Sequence, residues 1–227
     1  INALSVLSTG GSEFGMPNRV TANCYFGDGD IVDIEHNARL GGNIHTKGVM
    51  ILSSYLSTLF AKYKAMPLSA SIGLEQSYGE VDGDSASLAE LCALISSLGE
   101  RPIKQNFAVT GSVNQFGQVQ PVGGVNEKIE GFYDACEILG LTGDQAVILP
   151  ATNQINLMLS KKVRDAIKAG KFHIYTVERV DQALELLLGA HPGHKGKDGN
   201  YPVRSMYGSI LQKFDALRAS DDELGES

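Results

Sequence analysis

Ser85 and Lys128 are the two side chains whose type and setting could do chemistry together. Ser85 lies in Asp82-Gly83-Asp84-Ser85-Ala86-Ser87, and Lys128 closes Pro121-Val122-Gly123-Gly124-Val125-Asn126-Glu127-Lys128. Each segment is a tight, glycine-containing loop that leads into an amphipathic helix. Each therefore delivers one reactive group, a hydroxyl or an amine, to a helix N-terminus. A serine beside a lysine that can lose its proton is enough for peptide hydrolysis without histidine.

Each residue also has a plainer reading. Ser85 at the start of a helix could be an N-cap, a position that favours Asp and Ser. As a nucleophile it would use the same place differently, because the positive end of the helix dipole favours the oxyanion of a tetrahedral intermediate. Lys128 in a first helical turn opposes the dipole, and on the surface it would pair with Glu127 or Glu130. Buried, it would lose its proton more easily, since dipole and desolvation both disfavour the ammonium. A base working near neutral pH needs its pKa brought from about 10.4 to about 7–8, which means disfavouring the charged form by about 3–5 kcal/mol. A carboxylate at Asp82 or Asp84 would push the other way.

Other candidates are weaker. His191-x-x-His194 has close spacing but sits in a glycine-rich stretch without a third ligand, so no metal site is read from the sequence. His36 and His45 could serve a Ser-His arrangement, yet nothing in the sequence places them near Ser85. Cys92 falls on the expected core stripe of the Ser85 helix.

These residues need a scaffold. Strands are expected over Ile1–Ser8, Arg19–Phe26, Ile31–Ile34, Ser69–Leu74, Asn106–Ser112, Ala146–Leu149 and His173–Val177, with Gly117–Val119 the return of a hairpin. Helices are expected over Val49–Lys62, Ser85–Leu98, Asn126–Leu139 and Val180–Leu188, with a helical segment or pair over Asn153–Ala169. This pattern predicts an α+β domain, mixed sheets covered by helices, spanning residues 1–189. Residues 190–227 read as a linker, a short amphipathic helix over Ser205–Leu217 and a disordered end from Asp221. The chain has 227 residues, 43% of them hydrophobic, and a formal net charge of −7. That suffices for one large domain with a substantial core. Lys and Arg form no dense run, so nothing indicates nucleic acid or a membrane surface. No apolar stretch reaches the roughly 18 residues of a membrane span. Three scattered cysteines argue against a disulfide framework and suggest a cytoplasmic setting. The start at Ile1, inside a strand-like run, suggests a piece of a longer polypeptide.

Taken together, the two loops resemble the Lon protease family, peptidase family S16. Gly83-Asp84-Ser85-Ala86-Ser87 is similar to the B-type branch. Pro121-Val122-Gly123-Gly124-Val125-x-x-Lys128 matches the lysine motif, and Val109-Thr110-Gly111-Ser112 resembles the strand end before it. The resemblance covers about Ile1 to Leu188. It implies that Ser85 is the nucleophile and Lys128 its general base. It also implies that Thr110 supports the amine and that Asp82 can contact it. It further implies a homohexameric ring, unfolded polypeptides as substrates, and an upstream ATPase module using ATP and Mg. This chain itself contains no phosphate-loop motif and calls for no cofactor. A non-catalytic, ring-forming scaffold domain attached to an ATPase is the alternative, which retention of both Ser85 and Lys128 disfavours. A small-molecule kinase is more distant, because no convincing glycine-rich phosphate loop occurs.

Overall fold

The structure is a computed structural model that describes residues 1–60 and 65–225. Strands β1 (Asn2–Thr9), β2 (Ser12–Phe26), β3 (Ile31–Asp33), β4 (Leu68–Glu75) and β5 (Phe107–Val109) form most of one mixed sheet. The short pair β6 (Ser112–Val113) and β7 (Val119–Gln120) stands apart from it, and β8 (Ala146–Pro150) and β9 (His173–Val177) complete it. The seven-stranded order is β3-β4-β2-β1-β5-β8-β9. β1, β2 and β4 pair antiparallel, whereas β3 on one side and β5, β8 and β9 on the other run parallel to their neighbours.

Helices α1 (Ile34–Asn37), α2 (Asn43–Phe60), α3 (Ser87–Leu98), α4 (Val125–Leu139), α5 (Lys161–Lys168), α6 (Val180–Leu188) and α7 (Met206–Gly225) cover this sheet. Alternation along the strands sends successive side chains to opposite faces. Ala3, Val109 and Ile148 join a core with α2, α3, α6 and α7. Leu4, Ala108, Val147 and Leu149 join a second core with α4 and α5. The central strands β5 and β8 are therefore buried on both faces, and α3 and α4 lie on opposite sides of the sheet. The α+β expectation holds.

Several boundaries differ from the sequence reading, each for a local reason. β2 begins at Ser12 rather than Arg19. Its pairing with β4 starts only at Arg19, so residues 12–18 bond to β1 alone. An edge position tolerates Pro17. Gly15 serves a close approach: a Cβ there would stand 2.0 Å from the Glu127 carbonyl oxygen, and one on Gly131 would stand 1.9 Å from the Gly15 oxygen. These two glycines let α4 lie backbone-to-backbone against β2. The expected strand Asn106–Ser112 splits into β5 and β6, because Thr110 and Gly111 leave the ladder to hold the Ser85 turn. Ile34 begins α1 instead of ending β3, with Asp33 as its N-cap. The segment Asn153–Ala169 is a 3-10 turn over Ala151–Asn156 followed by α5. α2 starts at Asn43, and Lys62, its expected end, lies outside the described residues.

The C-terminal stretch departs most from expectation. α7 runs to Gly225, well past Leu217, so the stretch from Asp221 to Gly225 is helical rather than disordered. Glu226 and Ser227 lie outside the described residues. Met206, Tyr207, Ile210 and Phe214 are all buried in the α2–α3 core. Phe60 packs edge-on against Tyr207 and Phe214, with centroids 5.6 and 6.0 Å apart. Burial of four large apolar groups makes α7 part of the main core rather than an appended tail.

Candidate active site

Thr110 follows the C-terminal end of β5, and its N–H donates to the Ile148 carbonyl at 3.0 Å. The N-terminus of α3 approaches this point from one face of the sheet and that of α4 from the other. A crevice outside the carboxyl ends of parallel strands is the usual place for a site in such a sheet.

The Ser85 turn is laced to residues 110–113. Gly111 N–H donates to the Ser85 carbonyl at 2.9 Å, and Leu88 N–H donates to the Gly111 carbonyl at 3.1 Å. Thr110 Oγ1 donates to the Ser85 carbonyl at 3.3 Å. Ser112 Oγ donates to Asp84 Oδ2 at 2.7 Å, and Val113 N–H donates to Ser87 Oγ at 3.2 Å. Ser85 is not the N-cap of α3. That position is Ala86, and no side chain caps the helix. The Ser85 hydroxyl is thus free of the capping role. Among the described residues, the backbone N–H groups of Ser85 and Ala86 bond to no acceptor.

Lys128 arrives from the other face. Gly124, in the left-handed region at φ 66°, turns the chain into α4, and its carbonyl accepts from Lys128 N–H at 3.0 Å. The preceding loop is held by the buried Asn153, whose amide accepts from Val122 N–H and donates to its carbonyl, both at 3.0 Å. Lys128 occupies the buried stripe of α4, with Val125, Ile129, Phe132 and Cys136. Its Nζ lies 3.0 Å from Ser85 Oγ and 3.2 Å from Thr110 Oγ1. Lys128 is 4% exposed and Thr110 fully buried. Burial brings the lysine pKa down to about 8, although the nearby Asp84 charge opposes the shift. Lys128 joins no ion pair among the described residues.

The structure therefore brings Ser85, Lys128 and Thr110 together but leaves Asp82 out. Asp82 is exposed, and its Oδ1 accepts from the Ile44 N–H at 3.1 Å, at the start of α2. The expected contact of Asp82 with the amine is replaced by this helix-terminal bond. The carboxylate that acts on Lys128 is Asp84, one residue before the serine. Pairing with Glu127 or Glu130 is likewise not seen. Sequence reasoning missed Asn153, because it stands among other polar residues, Thr152, Gln154 and Asn156, and nothing local marks it out. Cys92 is fully buried beside other core residues, as its place on α3 suggested.

Comparison with known proteins decides the family. Residues 69–190 match the Lon protease (S16) C-terminal proteolytic domain. The chain belongs to that family. The matched region contains Ser85, Thr110 and Lys128. A Lon protease homolog of Haemophilus influenzae is 46% identical over 223 residues, 97% of this chain and 37% of that protein. One of Escherichia coli is 52% identical over 190 residues, 83% of this chain and 32% of that protein. An archaeal Lon protease of Thermococcus kodakarensis is 37% identical over 140 residues, 60% of this chain and 20% of its own length. The chain thus spans about a third of the first two Lon relatives. No helix among the described residues is long and apolar enough to cross a membrane.

Proposed function

We propose that this Lon-family domain is a serine endopeptidase that cleaves peptide bonds of unfolded or damaged proteins through a Ser85–Lys128 dyad. The observation that carries this reading is the 3.0 Å approach of a buried amine, held in no ion pair among the described residues, to Ser85 Oγ. With its pKa near 8, a sizeable share of the amine is neutral at physiological pH. The neutral Nζ takes the Ser85 proton as Oγ attacks the substrate carbonyl. Thr110 Oγ1 accepts one of the remaining N–H bonds and so directs the lone pair at the serine. Charge on the tetrahedral oxygen is met by the unpartnered Ser85 and Ala86 N–H groups at the positive end of α3. The ammonium then gives its proton to the leaving amine, and the acyl-enzyme on Ser85 is hydrolysed by water with the same base.

We also propose that cleavage is coupled to an upstream ATPase that uses ATP and Mg, and that the sites lie inside a homohexameric ring that admits only unfolded chains. The test is cleavage of a short fluorogenic peptide and of an unfolded protein without ATP, by wild type, Ser85→Ala and Lys128→Arg. Wild type should cleave both substrates and neither variant should, because arginine keeps the charge but cannot act as a base. A wild type that cleaves neither, yet assembles into rings, would favour the scaffold role. Activity retained in Lys128→Arg would remove the lysine as a base.

A further inference from the structure

A second polar cluster lies within the core, and the dyad does not use it. Asp33 ends β3, Glu35 lies in α1, His45 in α2 and Glu90 in α3. They are 8%, 4%, 2% and 1% exposed. Each presents a buried atom with no hydrogen-bond partner: Asp33 Oδ2, Glu35 Oε2, His45 Nε2 and Glu90 Oε1. Four such atoms in one place are unusual, because buried polar groups are nearly always satisfied.

The other oxygen of two of these carboxylates is already engaged. Asp33 Oδ1 accepts from His36 N–H at 3.2 Å, and a Glu35 oxygen accepts from Leu74 N–H at 2.8 Å. Backbone bonds thus fix both carboxyl groups and leave one oxygen of each free. One donor atom from each of Asp33, Glu35 and His45 lies within 4.8 Å of the others. His45 Nε2 and Asp33 Oδ2 are 3.4 Å apart. That is long for an N–H···O bond. It matches the edge of a tetrahedron whose arms are about 2.0–2.2 Å. On the other side of the ring, Nδ1 faces Glu90 Oε1 at 3.9 Å. A carboxylate behind a ligating imidazole is the common outer arrangement of metal sites.

We propose that Asp33, Glu35 and His45 bind a divalent transition-metal ion, zinc fitting the mixed imidazole and carboxylate donors best, with Glu90 orienting His45 from behind. A dication would neutralise two carboxylates that are otherwise buried beside one imidazole. A groove of about 740 Å³ runs past the cluster and is lined by Asp33, though not by Glu35, His45 or Glu90. The ion would be structural. It would tie β3 and α1 to α2 and, through Glu90, to α3, the helix that follows Ser85. This inference stands apart from the peptidase reading.

The test is zinc binding to the full chain after chelator treatment, followed by competition with a chromophoric chelator. It is run in a His191→Ala/His194→Ala background, because those two rings are paired, with centroids 3.9 Å apart, and could hold zinc themselves. One zinc per chain is expected, with a rise in the thermal unfolding midpoint. Glu35→Gln keeps an oxygen for Leu74 N–H and should weaken binding at least tenfold. Glu90→Gln should weaken it about 10–100-fold. If these variants fold poorly, cobalt substitution of the parent decides: intense visible bands of a low-coordinate N/O site support the proposal, and the weak spectrum of hydrated cobalt overturns it. No stoichiometric zinc, or equal zinc binding by both variants, would also overturn it and leave a proton-sharing cluster.

Discussion

Replacing Lys128 by methionine should make the protein inactive yet more stable at moderate pH, and the gain should vanish as pH rises. The folded lysine has a pKa of about 8, against 10.5 for the free side chain. Below about pH 8 the fold must hold an ammonium it disfavours, a penalty of about 3 kcal/mol. Because the folded pKa is depressed, the penalty is fully present below about 8 and fades as pH climbs to 10.5. Methionine fills similar volume without charge, so it removes the penalty. It also forfeits the bonds to Ser85 Oγ and Thr110 Oγ1, at about 1 kcal/mol each. The mutant should therefore be about 1 kcal/mol more stable near pH 6 and about 2 kcal/mol less stable above about pH 10.5. Urea unfolding of both proteins across this range measures the swing. A stability difference that is flat with pH, or a mutant clearly weaker at low pH, would show that Lys128 is a charged, paired structural residue.

Asp84→Asn removes the charge that raises the lysine pKa, while its amide oxygen can still accept from Ser112 Oγ. The inflection of its pH–rate profile for peptide cleavage should move to lower pH; an unchanged or higher inflection would contradict the electrostatics. Thr110→Val keeps the shape but loses the acceptor for Nζ and the donor to the Ser85 carbonyl. It should lose about 1–2 kcal/mol in unfolding measurements and show a reduced kcat with little change in KM. Gly131→Ala would gain about 1 kcal/mol in helix propensity. Its Cβ meets the Gly15 carbonyl at 1.9 Å, however, so it should destabilise the fold by about 1–3 kcal/mol and displace Lys128, seen as a lowered Tm with little peptide cleavage.

Much of this was legible in the sequence, because loop glycines and helical periodicity place Ser85 and Lys128 at two helix starts. The same periodicity held a clue to burial, since Lys128 falls on the stripe of Val125, Ile129 and Phe132. What freed Ser85 from the N-cap position was not local. It depended on Ala86 rather than Ser85 occupying the cap, and on Thr110 and Gly111 leaving the sheet to hold the turn. Asp82 and Asp84 are equivalent in sequence, and only the position of α2 draws Asp82 away to the Ile44 N–H. The first half of β2 was hidden because Gly15 and Pro17 are turn residues by type. They are tolerated in a strand because of α4 and an unpaired edge. The reach of α7 into the core was obscured by the glycine-rich stretch before it. The buried cluster of Asp33, Glu35, His45 and Glu90 comes from four separate elements, and no spacing in the chain links them.

Activation of Ser85 by Lys128 is open to covalent labelling. The full chain is treated with an aryl phosphonate that traps activated serines, and the adduct is mapped by mass spectrometry as a function of pH. A single adduct on Ser85 is expected, with a labelling rate that rises through a pKa near 8 and no adduct in Lys128→Met. Labelling of Ser87, Ser112 or another serine instead, or labelling of Ser85 at an equal rate in the methionine variant, would contradict it.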